Sequence, residues 1–284
     1  DAVVPSASTS QKIFATSPTI TPAVKPVTFR QIFPAQHDYI IIGHPLLRKP
    51  ALGYSDPVKA YAEYRASAEG GGYDTLVVNI QQLYDQFSYG ETTPLAIFRF
   101  LKFLTNTNTP KYLLLVGKGL DVWYKYNRNP SGFPAFKDLI PPPGYPSSDM
   151  AYSAGLNGTS YEPAIPTGRI PAMKPDEVAA YLNKVKEMEA LPYNDLWRKN
   201  VLHLSGGREE GEPELLQNYL VDLQTVAEDY HFGGKVAALA KYSKDIQTVN
   251  VSKQVNDGVN LITFFGHSSA TNLAFAIGHW GGPV

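Results

Sequence analysis

The sequence predicts an α/β protein whose mainly parallel sheets are flanked by helices. Short apolar runs alternate with helix-length segments along most of its 284 residues. The runs are near-continuously apolar rather than strictly alternating, which is how strands buried on both faces of a parallel sheet look. Three of them close on glycine, at Gly43, Gly117 and Gly266, where a strand end can turn tightly and let backbone approach a ligand. Strands that alternate with helices imply βαβ units with right-handed crossovers.

Residues 1–26, rich in Ser, Thr, Pro, Ala and Val, read either as a linker or extended arm or as a disordered terminus. Strand-type runs follow at 39–42, 75–80, 112–116, 201–204, 236–239 and 261–265. Asp56-Pro57 opens the first helix, with Asp as cap and Pro at the first helical position. It runs to about residue 69, where Gly70, Gly71 and Gly72 end it. Thr93-Pro94 opens the second, with Leu95, Phe98, Leu101 and Leu104 near helical spacing. A third, 175–189, carries a stripe of Val178, Tyr181, Leu182, Val185 and Met188 opposite a charged face. Residues 214–230 give a fourth, and 245–258 contain a fifth. The segment 123–164, with Pro141-Pro142-Pro143 and several Gly and Asn, is too long for an ordinary connection and reads as a functional loop. A boundary near Pro192 divides a first α/β subdomain, 27–192, from a second, 193–284.

Composition excludes several function classes. Lys and Arg number 25 and Asp and Glu 26, a net charge of -1, so no basic face for nucleic acid is implied. No run approaches the roughly 18 apolar residues of a membrane span. The first residues lack the charged and apolar regions of a signal peptide, which leaves a cytosolic protein or a piece of a longer exported chain. There is no cysteine, hence no disulfide, no thiolate metal site and no cysteine nucleophile within these residues.

In open parallel sheets, sites lie outside the carboxyl ends of the strands. That rule selects Gly43-His44, Gly117-Lys118, Ser205-Gly206-Gly207 and Gly266-His267. The last is the most informative, because His267 follows a strand-type run directly and is succeeded by Ser268 and Ser269. A histidine there suits general base chemistry, beside backbone N–H groups able to bind an oxyanion. The alternative is a structural histidine bonded to a nearby carbonyl. Gly117-Lys118-Gly119 lacks the spacing of a phosphate loop, and no phosphate-loop fingerprint follows any strand, which disfavours a doubly wound nucleotide-binding protein. Ser205-Gly206-Gly207 fits an anion site at a helix start, though an α/β fold produces such loops anyway. His44 reads as structural.

Several segments resemble the gingipain-like cysteine peptidases, and especially the sortase-like members tied to the type IX secretion system. They are the stretch 78–90 (VNIQQLYDQFSYG), similar to the family's segment before its second helix, then 94–101 and 110–117 (PKYLLLVG). Ser147-Ser148-Asp149, the run 165–172 (IPTGRIPA) and Phe265-Gly266-His267 follow in the family's order, over roughly 39–277. The resemblance implies a caspase-like fold of two adjacent α/β subdomains with parallel sheets. It implies that His267 is the catalytic histidine and that the backbone N–H of Ser268 forms part of the oxyanion hole. Gly266 and Ser269 would border the substrate. The cysteine would follow one strand later, so the resemblance puts it beyond Val284, and these residues alone would be inactive.

Where many relatives carry a Glu just before Ile-Pro-x-Gly-Arg, this chain has Ala164, with Glu162 two residues earlier. Asp149 is the alternative carboxylate to orient the histidine, and its bland reading is a turn-capping Asp. Arg169 is read as a loop anchor through a bidentate carboxylate pair rather than a substrate contact. No metal site is read, although some relatives bind calcium; no Asp-x-Asp-x-Asp pattern is present. The resemblance thus implies a cysteine endopeptidase or sortase-type transpeptidase acting on secreted proteins, with protein or peptide substrates and secretion-system partners, exported to the outer surface of a bacterium. The alternative is an inactive peptidase-shaped module that binds or assembles within a secretion complex.

Overall fold

The computed structural model describes residues 26–120, 138–144, 146–207, 209–241 and 250–266. The chain divides into two compact units, residues 1–183 and 184–284.

Unit 1 holds strands β1 (Tyr39–Gly43), β2 (Thr75–Asn79), β3 (Tyr112–Val116) and β4 (Thr167–Ile170), and helices α1 (Pro57–Ala66), α2 (Ile80–Phe87) and α3 (Pro94–Thr105). Helix α4 (Pro175–Ala190) begins in this unit. The strands form one sheet in the order β2-β1-β3-β4, and every pairing is parallel. Ile40, Ile41 and Ile42 of the central β1 are fully buried. Alternation along the strand sends Ile40 and Ile42 to one face. There they join Leu113 and Leu115 of β3, Leu83 of α2 and Phe100, Leu101 and Leu104 of α3 in the main core. Each such side chain contributes about 1.5–3 kcal/mol by leaving water. Helices α1 and α4 bury Val58, Tyr61 and Ala62, and Val178, Ala179 and Leu182, and the Tyr61 and Tyr181 rings meet at 6.4 Å.

Local chemistry sets the helix bounds. Asp56 caps α1 by accepting from the N–H groups of Val58 and Lys59 at 3.1 and 3.0 Å. The helix ends at Ala66 rather than near 69. Ser67 takes over its last carbonyls, its N–H donating to Glu63 O and its Oγ to Tyr64 O. The run 75–80 is not all strand. Asn79 accepts from Gln81 N at 2.9 Å while Gln82 Oε1 accepts from Asn79 N at 3.4 Å, a reciprocal cap that turns Ile80 into the first residue of α2. The stretch 78–90 therefore contains a helix of its own. Strand β4 lies within the run 165–172 (IPTGRIPA).

Unit 2 holds β5 (Asn200–Gly206), α5 (Glu212–Ala227), β6 (Lys235–Lys241), α6 (Ser252–Asn256) and β7 (Leu261–Phe265). Its strands are parallel in the order β6-β5-β7. Helix α5 stops at Ala227, short of 230, because Asp229 Oδ1 accepts from the N–H groups of His231 and Phe232 and closes a turn. Only β5 is buried along its length. The expectation that 261–265 is a buried strand is corrected: Leu261, Ile262 and Phe265 are 54%, 38% and 40% exposed. Among the described residues β7 pairs with β5 alone, so one edge of the strand has no described neighbour.

Candidate functional site

In unit 1 the sheet order reverses between β1 and β3, which places Gly43-His44 and Gly117-Lys118 at a topological switch point. His44 is structural. Its N–H donates to Val116 O at 3.3 Å, its Nδ1 accepts from Leu46 N at 3.2 Å, and burial lowers its pKa. Gly117 has φ +153°, and a Cβ there would stand 3.0 Å from Ile140 Cγ1 and 3.1 Å from Leu139 Cβ. The close approach that this glycine permits is therefore to the chain's own loop. Lys118 O binds that loop by accepting from Leu139 N at 2.8 Å and Ile140 N at 3.2 Å.

Arg169 on β4 completes the attachment. Its Nε and Nη2 donate to the two oxygens of Asp149, each at 2.7 Å, and its Nη1 donates to Gly117 O at 2.6 Å and Ile140 O at 3.0 Å. Burial opposes the guanidinium's charge, but the Asp149 carboxylate beside it wins, and its pKa is raised. Tyr152, fully buried, donates its hydroxyl to Pro141 O, and burial drives its phenol pKa up. The bidentate anchor expected of Arg169 is present. Its partner is Asp149. Nothing in the sequence pairs the two, since they lie 20 positions apart with no shared periodicity. Near Ala164, Glu162 accepts from Ser160 N and Tyr161 N at 3.3 Å each, a local turn carboxylate.

In unit 2, Ser205 and Gly206 end β5 and Gly207 follows it. Ser205 is 2% exposed, and a Cβ on Gly207 would meet Glu212 Cβ at 2.8 Å. Glu212 opens α5 and its carboxylate accepts from Glu209 N at 3.1 Å. The helix start is thus occupied by the chain's own negative charge, which disfavours an anion there. Phe265 is in register with Ser205, so Gly266 emerges at the same edge as Gly206. Gly266 is half-buried. His267, Ser268 and Ser269 lie outside the described residues. A residue that the apolar reading of 201–204 passed over is His203, 3% exposed on the central strand, with no hydrogen-bond partner at Nδ1. Among the described residues no group of three or more His, Asp and Glu side chains could hold a metal ion. No described helix is long and apolar enough to cross a membrane.

Two sheets of parallel strands flanked by helices define an α/β protein. The profile of Peptidase family C25 matches residues 33–279, and the chain belongs to that family. Among solved structures it is similar to the Arg-specific cysteine proteinase gingipain R (RgpB), with 18% identity, a TM-score of 0.56, and 89% of this chain and 52% of that one covered. It is also similar to the complex of Porphyromonas gingivalis RgpB pro- and mature domains, with 19% identity, a TM-score of 0.54, and 84% and 50% covered. At these identities the likeness shows the fold alone. Dimeric latent PorU from Porphyromonas gingivalis aligns over 66% of this chain and 18% of its own at 18% identity, with a TM-score of 0.40, too weak a superposition to argue from. The chain spans about half the length of the two gingipain structures. No curated protein sequence matches it.

Proposed function

We propose that this chain is the histidine-bearing part of a gingipain-like cysteine peptidase whose nucleophilic thiol comes from outside these 284 residues, which contain no cysteine. The observation that carries the reading is family membership over residues 33–279, with Gly266 at the carboxyl edge of the unit 2 sheet directly before His267. In this reading the imidazole of His267 takes the thiol proton, and the thiolate attacks a peptide carbonyl. The backbone N–H of Ser268 and that of the cysteine hold the oxyanion. The imidazolium then protonates the leaving amine, and the acyl-enzyme passes to water or, in a sortase-type reaction, to an amine acceptor. Asp149, the carboxylate that the resemblance offers for orienting the histidine, has both oxygens held by Arg169 within unit 1. The substrate class is secreted protein processed at a bacterial surface, a place supported by the motif resemblance.

In the full-length protein, His267→Ala should lower cleavage or transfer of a cargo protein by about 10²-fold or more while leaving thermal melting unchanged. Unchanged turnover would overturn the peptidase reading and favour a module that only binds.

A further inference from the structure

We propose that unit 1 carries a preformed pocket that takes an aromatic side chain of an extended polypeptide. The pocket has a volume of about 480 Å³ and is walled by the first turn of α3, by Leu120 after β3, by the Pro141–Pro143 run and by Tyr152. That volume lies in the range of sites that hold small ligands.

Two independent observations point to it. The first is topology. The sheet order β2-β1-β3-β4 reverses between β1 and β3, and α/β sheets bind ligands outside their carboxyl ends at such a reversal. Leu120 follows the carboxyl end of β3, and α3, which enters β3, begins at that same edge. The second is rigidity. Tyr152 and Pro141 are joined by a hydrogen bond, Ile140 O is held by Arg169 at 3.0 Å, and Lys118 O holds Leu139 and Ile140. A cavity whose walls are already fixed costs little ordering when it is filled.

The lining selects the occupant. Among the described residues it contains no Lys, Arg or His, and Asp138, whose Oδ1 accepts from Leu120 N at 3.2 Å, is an acidic member. The Tyr152 hydroxyl is committed to Pro141 O, so the wall offers proline rings and the rings of Phe98 and Tyr152, which favour a flat apolar partner. Leu95 and Ala151 line the pocket and are exposed, so it opens to the surface and admits a side chain carried on a backbone.

The test is saturation-transfer NMR on the intact chain with N-acetyltryptophanamide and with a blocked Gly-Gly-Trp-Gly-Gly peptide. Transfer to the indole protons is expected, with the peptide bound at least about threefold more tightly than the amide. Leu95→Glu, which places an acid in the first turn of α3 where the helix dipole tolerates it, should weaken both probes about tenfold or more. So should Ala151→Phe, which fills the mouth; circular dichroism melts of both variants should match the parent. No transfer from the parent chain to either probe, or binding by both variants equal to the parent's, overturns the pocket. Equal affinity for amide and peptide overturns the polypeptide as its source. The measurement needs neither a thiol nor His267, so its outcome is separate from that of the peptidase reading.

Discussion

The two units share a plan and differ in how much apolar surface they hide. In unit 1 the central strand is closed in from both faces: Ile40, Ile41 and Ile42 reach no solvent, and neither do Phe100, Leu101 and Leu104 of the covering helix. In unit 2 only β5 is comparably enclosed, while α5 presents Leu215, Tyr219, Leu223 and Val226, each more than half exposed. Apolar sequence alone does not say which condition a strand or helix meets. What decides is the neighbour: β1 has a strand on each side and helices on both faces, whereas β7 has β5 on one side.

The sharpest way to break this comparison is to shorten one side chain in each unit. Phe100→Ala should cost about 3–5 kcal/mol in urea unfolding, because it opens a cavity in the unit 1 core. Leu223→Ala on α5 should stay within about 0.5 kcal/mol, since its side chain already meets water. Similar costs for the two would end the distinction.

A second test asks whether unit 1 depends on its polar clamp as well as its core. Arg169→Met should destabilise by about 3 kcal/mol, because it leaves Asp149 unpaired and two carbonyls, of Gly117 and Ile140, without their donor. Combined with Asp149→Asn, the two losses should fall well short of adding in a double-mutant cycle. Additive losses would mean that the clamp is not a unit.

The smallest effect concerns His44. Burial lowers its pKa in the folded protein, so the unfolded chain takes up the proton first. Stability is then complete above the ordinary histidine value of about 6.5 and is lost as the pH falls below it. His44→Asn, which keeps an acceptor near Leu46 N, should flatten the decline in melting temperature between pH 7.5 and 5.5. An unaltered slope would assign the decline elsewhere.

Much of the architecture was legible in the residues. The apolar runs found the strands other than β4, and Asp56-Pro57 and Thr93-Pro94 marked helix starts that the side chains cap as expected. Strand β4 escaped because Gly168 and Arg169 interrupt Thr167-Gly168-Arg169-Ile170 and leave no apolar run; it is a strand because β3 offers it a ladder. Helix α2 escaped because Ile80 continues an apolar run, and only the side chains of Asn79 and Gln82 turn it. At the candidate site, Asp149 and Arg169 could be named singly, since residue type suggests what each can do. Their pairing depends on a loop whose path no local pattern dictates. The pocket of Phe98, Pro141–Pro143 and Tyr152 was invisible for the same reason: its walls come from segments far apart in sequence.

The position of β1 has a consequence for synthesis. It is the earliest described strand to leave the ribosome, yet it lies in the middle of its sheet, and one of its partners, β3, ends only at Val116. Until then the three consecutive isoleucines have at most one side of their ladder filled, and parallel pairing at such separations is slow. Nascent chains shorter than that point display a sticky ribbon, and the cell must shield it from other such ribbons until the second neighbour arrives.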